Sequence, residues 1–478
     1  MFRLYLETMI HLKPIQVVYQ VLTKVYRPRL KPAVAPIHQH SISIVQPIWK
    51  HPVSLSEHGR LSEYHRHYMD EIGQEGMSVS DCEQRIDAYM TELPQQSVGQ
   101  EPYPTSLRVM NWIKFFVQHR ESRNQKREDS LYAQVLLLEK ELEYRLLGNH
   151  LLENAFSLFV ASLYFEDKRL YHKTLRLLRK ELDEQILSDG AHFEQSPMYH
   201  CILLDRLLDC LNFLRHAGIF DGSSEFSQYL SQKAQLMLGH LQAVIWENQQ
   251  IPLLNDAVYG IAPSANDIFD YAQRLELVWQ EIPMKACGYR KMKNASMEAI
   301  VDVGDVQAAY QPGHTHADTL TYELRVEGKP FVVDTGCSTY EKTARRQFER
   351  GSEAHNVVVV NHQDSSHVWG GFRVGRRASV SLKSNNPHVL EASHNGYGKP
   401  CRRRFEMKEG AFVVEDYYDG EAVSLIHLAE GTDQRRIEID GASEIVIENG
   451  KYSTMLEHFH NGQVMKLRFR GHLKYTIR

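Results

Sequence analysis

Several things are missing from this chain, and each absence excludes a class. No apolar run approaches the roughly 20 residues of a bilayer-spanning helix, so no membrane span is expected. Basic residues are not in excess: 55 Lys and Arg stand against 60 Asp and Glu, a formal net charge of −5. No global positive field therefore recommends nucleic acid as a partner, and an anionic ligand would need local Arg and Lys clusters. Cysteines are few, and Cys82, Cys201, Cys210, Cys287, Cys337 and Cys401 show neither metal-type nor scaffold spacing. They read as buried thiols without a sign of an oxidising compartment. The opening MFRLYLETMIHLKPIQVVYQ has no uninterrupted apolar core and no small-residue cleavage site. It reads as an amphipathic helix rather than a secretory leader, and a cytoplasmic address is the expectation. No internal repeat supports a helical solenoid.

What is present is an ordinary globular composition, 42% apolar and 24% charged. At 478 residues the chain is too long for one core, and two domains are expected. Residues 1–105 form a lead-in interrupted by prolines after Arg27. Its histidines (His38, His40, His51, His58, His65, His67) are irregularly spaced and read as part of a solvated polar stretch. From about Ser106 the apolar period is helical, with segments predicted at 150–165, 169–187, 197–217, 225–247 and 265–279. Across 280–295 the period changes to two, and short strands run to the C-terminus, starting at Ala299–Val303. Helices followed by strands predict a multidomain α+β chain rather than a doubly wound sheet.

Three stretches carry chemistry. From Gln311 to Asn356 the chain reads QPGHTHADTLTYELRVEGKPFVVDTGCSTYEKTARRQFERGSEAHN. Alternating runs broken by Gly328-Lys329-Pro330 predict adjacent antiparallel strands, which bring His316, Asp334 and His355 together. Two imidazoles and a carboxylate suit a borderline divalent ion such as zinc, although a strand histidine is commonly a packed core residue. Leu147-Gly148-Asn149-His150 sits at a helix junction, with Gly148 suited to end one helix and Asn149 to cap the next. In His192-Phe193-Glu194-Gln195-Ser196-Pro197-Met198-Tyr199-His200, Ser196 and Pro197 are helix-start chemistry, which puts Tyr199 in the first turn. Beside the first motif, Arg345, Arg346 and Arg350 offer paired N–H donors for a carboxylate or sulfate, or else form a solvated charge run. Trp369 offers either a flat face for a sugar ring or a core side chain.

GHTHADTLTYEL, VVDTG and RRQFERGSEAHNVVVV, with GNH and HFEQSPMYH upstream, resemble the heparinase II/III-like polysaccharide lyases. The resemblance implies an incomplete α/α toroid (residues 106–285), completed by the lead-in and followed by an antiparallel β-sandwich (290–478). It implies β-elimination on a uronic-acid-containing anionic polysaccharide. Asn149, aided by His150, would neutralise the uronate carboxylate, Tyr199 and His314 would move protons, and Glu194 and His200 would play supporting parts. His316, Asp334 and His355 would hold one divalent metal ion, zinc, in a mainly structural role. Relatives of this kind are often periplasmic. A uronate C5-epimerase needs the same carboxylate neutralisation and C5 deprotonation. A non-catalytic glycan-binding protein of polysaccharide biosynthesis is a third reading.

Overall fold

The computed structural model describes residues 2–37, 40–50, 53, 55, 59–74, 76–96 and 98–478. His38, His51 and His58 of the lead-in lie outside the described residues. Helices come first: α1 (Phe2–Met9), α2 (Pro14–Val25), α3 (Arg60–Arg66), α4 (Val79–Glu92), α5 (Pro102–Gln118), α6 (Gln125–Lys140), α7 (Gly148–Tyr164), α8 (Lys168–Gln185), α9 (Pro197–Ala217), α10 (Ser223–Val244) and α11 (Ala265–Arg274). Their arrangement follows from two kinds of apolar pattern. α5, α7 and α9 are buried along nearly their whole length and pack side by side, α7 between α5 and α9. α8 and α10 bury one face and leave the other in water, and they pack on α7 and α9 respectively. An apolar-all-round helix requires cover on every side, so these sequences specify an inner and an outer helical layer.

The lead-in is solvated at its start, where α1, α2 and His40 are largely exposed, but not from Ile42 onward. Ile42, Met69, Ile72, Ile86, Tyr89 and Leu93 belong to the same apolar core as Trp112 and Phe156. His67 is buried, with Nδ1 2.8 Å from the Tyr89 hydroxyl, and burial pulls both His65 and His67 down to about 4. These imidazoles are neutral packing groups, and irregular spacing concealed it because the segment between α3 and α4 has no helical period to read.

The chain then changes character. β1 (Tyr289–Lys293) and β2 (Met297–Asp302) open an antiparallel sheet that continues through β3 (Tyr322–Val326) and β4 (Lys329–Val332). A helical excursion, α12 (Ala344–Arg350), precedes the short β5 (Val358–Val359) and the separate β6–β7 hairpin (Val368–Trp369, Arg373–Val374). The sheet is completed by β8 (Val380–Asn385), β9 (Val389–Tyr397), β10 (Lys399–Lys408), β11 (Ala411–Leu428), β12 (Ile437–Met455) and β13 (His458–Ile477). β11 is its spine, pairing with β4, β5, β10 and β13. A second apolar core, containing Tyr322, Phe405, Phe412, Leu467 and Tyr475, fills the sheet. An α-helical region followed by one curled antiparallel sheet is the architecture.

One ion pair is sealed inside the sheet core. Arg403 meets Asp416 through two bonds of 2.6 and 2.9 Å, and its remaining donors reach Leu320 O, Asn356 O and Ser424 Oγ. Both side chains are buried. Removing one partner strands the other charge in the interior, so Arg403→Ala is expected to cost about 3–5 kcal/mol. Urea unfolding checks this, and an unchanged midpoint would show that the carboxylate finds other compensation.

Candidate active site

The inner helices α5, α7 and α9 begin at one place. Tyr103, the second residue of α5, stacks near His150 of α7 with ring centroids 4.7 Å apart. Asn149 and His150 open α7, and Tyr199 lies in the first turn of α9. Ser196 caps α9 by accepting the Tyr199 N–H at 3.2 Å, with Pro197 at the first helical position. Gly148 has φ +55°, and a Cβ there would sit 2.4 Å from Glu194 Oε1, so only glycine fits.

Asn149 does not cap a helix with its side chain. Glu194 does that service from outside, accepting the Asn149 N–H at Oε1 and its Nδ2–H at Oε2, both at 2.8 Å. The clamp aims the amide at His314, whose Nε2 is 3.4 Å from Asn149 Nδ2. His314 stacks on Tyr199 with centroids 3.8 Å apart. Asn149, Tyr199 and His314 are thus neighbours, although Asn149 and Tyr199 come from the helical half and His314 from the loop between β2 and β3.

The group that holds this loop in place is Asp256, in a buried connection between α10 and α11. Its Oδ2 accepts from His314 Nδ1 at 2.9 Å and its Oδ1 from His316 Nε2 at 2.8 Å. Arg346 grips the same carboxylate with both terminal nitrogens, at 2.5 and 2.6 Å. Burial would raise this carboxyl, but Arg346 and the two histidines hold it well below the usual range. A carboxylate only accepts, so it fixes both tautomers: Nδ1–H on His314 and Nε2–H on His316. His314 Nε2 is left with its lone pair facing Asn149. Burial, with the charges of Asp256 and Glu194 adding to it, pushes the Tyr199 phenol well above 10, so it carries its proton. Burial opposes charge on His150, yet Glu143, 3.2 Å from its Nδ1, raises its pKa on balance.

His316, Asp334 and His355 come together behind this cluster. The two imidazole rings are 5.3 Å apart, and His355 Nδ1 donates to Asp334 Oδ2 at 2.7 Å. His316 Nδ1 and His355 Nε2 are buried without a partner, as is Asp318 Oδ2. Two lone-pair nitrogens, each on a ring whose other nitrogen is tied to a carboxylate, are a donor set that fits a divalent metal. Asp334 is engaged with the ring it orients rather than standing free. Among the described residues, a different set has candidate ligand atoms all within 4.8 Å of one another: Asp189, His240 and Cys287, all buried. Asp189 Oδ2 there also accepts the backbone N–H groups of Lys285 and Cys287, at 2.8 and 3.0 Å.

The arginines and the tryptophan differ from expectation. Arg346 is fully buried on Asp256, and Arg350 is buried with its guanidinium on the Thr315 and Arg373 carbonyls. Both are enclosed by protein rather than turned to solvent, with Arg350 Nε left unpartnered in the interior. Arg345 is partly exposed but is bonded to Glu349 at 2.7 Å on its own helix. Trp369 packs against Tyr5 of α1, with centroids 4.7 Å apart, and donates Nε1–H to Thr8 Oγ1. Its faces are used to seat the first helix. Flat surface beside His314 comes instead from Tyr340 and Phe372, stacked on each other at 6.0 Å with Phe372 38% exposed.

Asp256 is the residue that motif reading missed, along with Tyr340 and Phe372. Its one signal was an acid inside the apolar run Ile251–Tyr259. Asp256→Ala removes the counter-charge bonded to buried Arg346 and unties two histidines. A loss of about 3–5 kcal/mol is expected, read by chemical denaturation, and a wild-type midpoint would refute the hub role.

Comparison with known proteins fits this geometry. The family profile "Heparinase II/III N-terminus" matches residues 105–275, and "Heparinase II/III-like, C-terminal" matches residues 279–469. A heparin-sulfate lyase of Pedobacter heparinus is 24% identical over 304 residues, covering 58% of this chain and 45% of that protein. One of Bacteroides thetaiotaomicron is 23% identical over 370 residues, covering 66% and 50%. This chain thus spans about half the length of the curated relatives it matches. Among solved structures, a heparinase III superimposes with a TM-score of 0.64 at 16% identity, covering 87% of this chain and 75% of that one. A heparan sulfate lyase from Pedobacter heparinus gives 0.59 at 14% identity, covering 97% and 87%. With both profiles matched in order and the fold shared, the chain belongs to the heparinase II/III-like family.

Proposed function

We propose that this protein is a polysaccharide lyase that cleaves a uronic-acid-containing glycan by β-elimination, with residues 1–105 and 106–285 forming its toroid and 290–478 its sheet domain. One observation carries the reading: an amide, a protonated phenol and an imidazole with a free lone pair meet at the mouths of three helices. α5, α7 and α9 each present the positive end of a helix dipole here, so the place favours negative charge.

β-Elimination removes the C5 proton, which lies α to the uronate carboxylate, and expels the 4-linked oxygen. Charge that builds on the carboxylate needs donors already in position. Asn149 and His150 supply them. His314 Nε2, its tautomer set by Asp256, takes the C5 proton. The Tyr199 hydroxyl gives its proton to the leaving oxygen. The C4–O bond breaks with formation of the C4–C5 double bond, and one proton enters the enzyme as one leaves. The metal is assigned to His316 and His355 with Asp334, and zinc suits this donor set. When bound it supplies rigidity to the loop that carries His314. The curated relatives are named heparin-sulfate lyases, so a heparan-type glycan heads the substrate panel.

Tyr199→Phe keeps the ring and removes the hydroxyl. Turnover is expected to fall by about 10²-fold or more with folding unchanged. The assay is the ultraviolet absorbance of unsaturated ends across a panel of uronate polysaccharides. A wild-type rate for the variant on a cleaved substrate would end the assignment, and solvent deuterium entering C5 without cleavage would replace lyase by epimerase. His316→Ala is expected to lose bound zinc and to melt at a lower temperature, because metal binding couples to folding. Elemental analysis that finds the same zinc content in both proteins would move the metal elsewhere.

A further inference from the structure

α1 and α2 are amphipathic in the wrong direction for helices that merely cover a core. The protein-facing side of α2 is polar: Gln16, its one buried residue, donates to the carbonyls of Leu146 and Tyr310, and Tyr19 packs on Tyr144. The solvent-facing side is apolar, with Val18 53%, Val21 60%, Leu22 48% and Val25 83% exposed. α1 has no buried residue and exposes Phe2 at 77% and Met9 at 54%, and Ile10 just after it is 78% exposed. Clusters of this kind mark interaction surfaces, whereas single exposed apolar residues need no explanation.

The charge around these faces identifies what they meet. Residues 2–37 hold six basic side chains and one acidic one, in a chain whose net charge is −5. Arg3, Lys24, Arg27, Arg29 and Lys31 are exposed. The acid, Glu7, is bonded to His367, to the Arg376 N–H and to Arg3, which leaves Lys24, Arg27, Arg29 and Lys31 as the cations bordering the apolar face. An apolar face bordered by exposed cations, with little acid, is the composition of a helix that lies in a lipid interface. We propose that α1 and α2 are a docking surface for an anionic membrane, their apolar side chains in the acyl boundary and their cations among the headgroups.

The attachment is rigid. α1 is bonded to the sheet half through Glu7 and through Thr8, which receives Trp369 Nε1–H. α2 is bonded to the helical half through Gln16 and through the Lys13–Glu184 ion pair. Docking on these helices would hold both halves of the molecule, and the cleft between them, in a set orientation to the lipid. The inference stands on surface and charge alone and is independent of the reaction assigned above.

The test is flotation of the full chain with vesicles of phosphatidylcholine mixed with phosphatidylglycerol, and with phosphatidylcholine alone. Binding to the mixed vesicles is expected, weakened about tenfold or more on the neutral ones and falling as salt rises. Val21→Asp with Val25→Asp should abolish flotation while leaving the melting temperature unchanged, since both side chains already face water. Arg27→Glu with Arg29→Glu should weaken binding to the anionic vesicles without touching the apolar face. Wild-type protein that does not float with mixed vesicles would overturn the proposal, as would equal flotation of the Val21→Asp, Val25→Asp protein. A dimer in solution that the same variant splits, with no flotation in either, would assign the surface to a second copy of the chain instead.

Discussion

Everything at the cleft hangs on the Asp256 carboxylate. It is fully enclosed, and both of its oxygens are shared between Arg346 and a histidine. A buried ion pair is a poor source of stability, because dehydrating two charges cancels much of their attraction. What it supplies here is position and tautomer. One group from the helical half orients both His314, beside Asn149 and Tyr199, and His316, beside His355. It also ties both to α12, a seven-residue helix whose buried side chains are Arg346, Glu349 and Arg350. Substituting an apolar trio of the same volume would leave two imidazoles with no preferred protonation pattern.

Strain accompanies this arrangement. Leu147, Gln195 and Asn255 all have left-handed backbone, at φ 62°, 58° and 57°, and each precedes or follows a residue that matters: Gly148, Glu194 and Asp256. Non-glycine residues in that region cost of order 1–3 kcal/mol each and persist only where surrounding bonds over-determine them. Those bonds are visible. Asn255 donates to Gln195 O and Tyr289 OH and accepts the His316 N–H, while Gln195 donates to Cys287 O and Asp305 O. The strained residues stitch the helical half to the sheet half.

Where local rules decide a structure, the sequence was readable. Ser196-Pro197 marks the start of α9 because a cap and a fixed φ act within three residues, and the change of apolar period marks the passage from helices to strands. The groups that give the site its electrostatics were not readable, since their meaning comes from partners far along the chain. Asp256 and Arg346 are 90 residues apart, and nothing in a lone acid or a run of arginines announces a buried pair. ARRQFERGS reads either as donors for an anionic ligand or as a solvated run, because two arginines four apart on a helix normally face water. Here that face is the one turned inward. Capping was the structural alternative open to Asn149 for the complementary reason: the group that takes its N–H, Glu194, is 45 residues downstream.

The same clamp bears on how a substrate would be received. Glu194 already occupies the Asn149 N–H and one of its Nδ2 hydrogens, and its Oε2 is 3.5 Å from His314 Nε2. A uronate arriving at the helix mouths would meet a fixed negative charge beside the donors it needs. Its carboxylate must take the second Nδ2 hydrogen and the His150 side, while Glu194 keeps the amide from rotating.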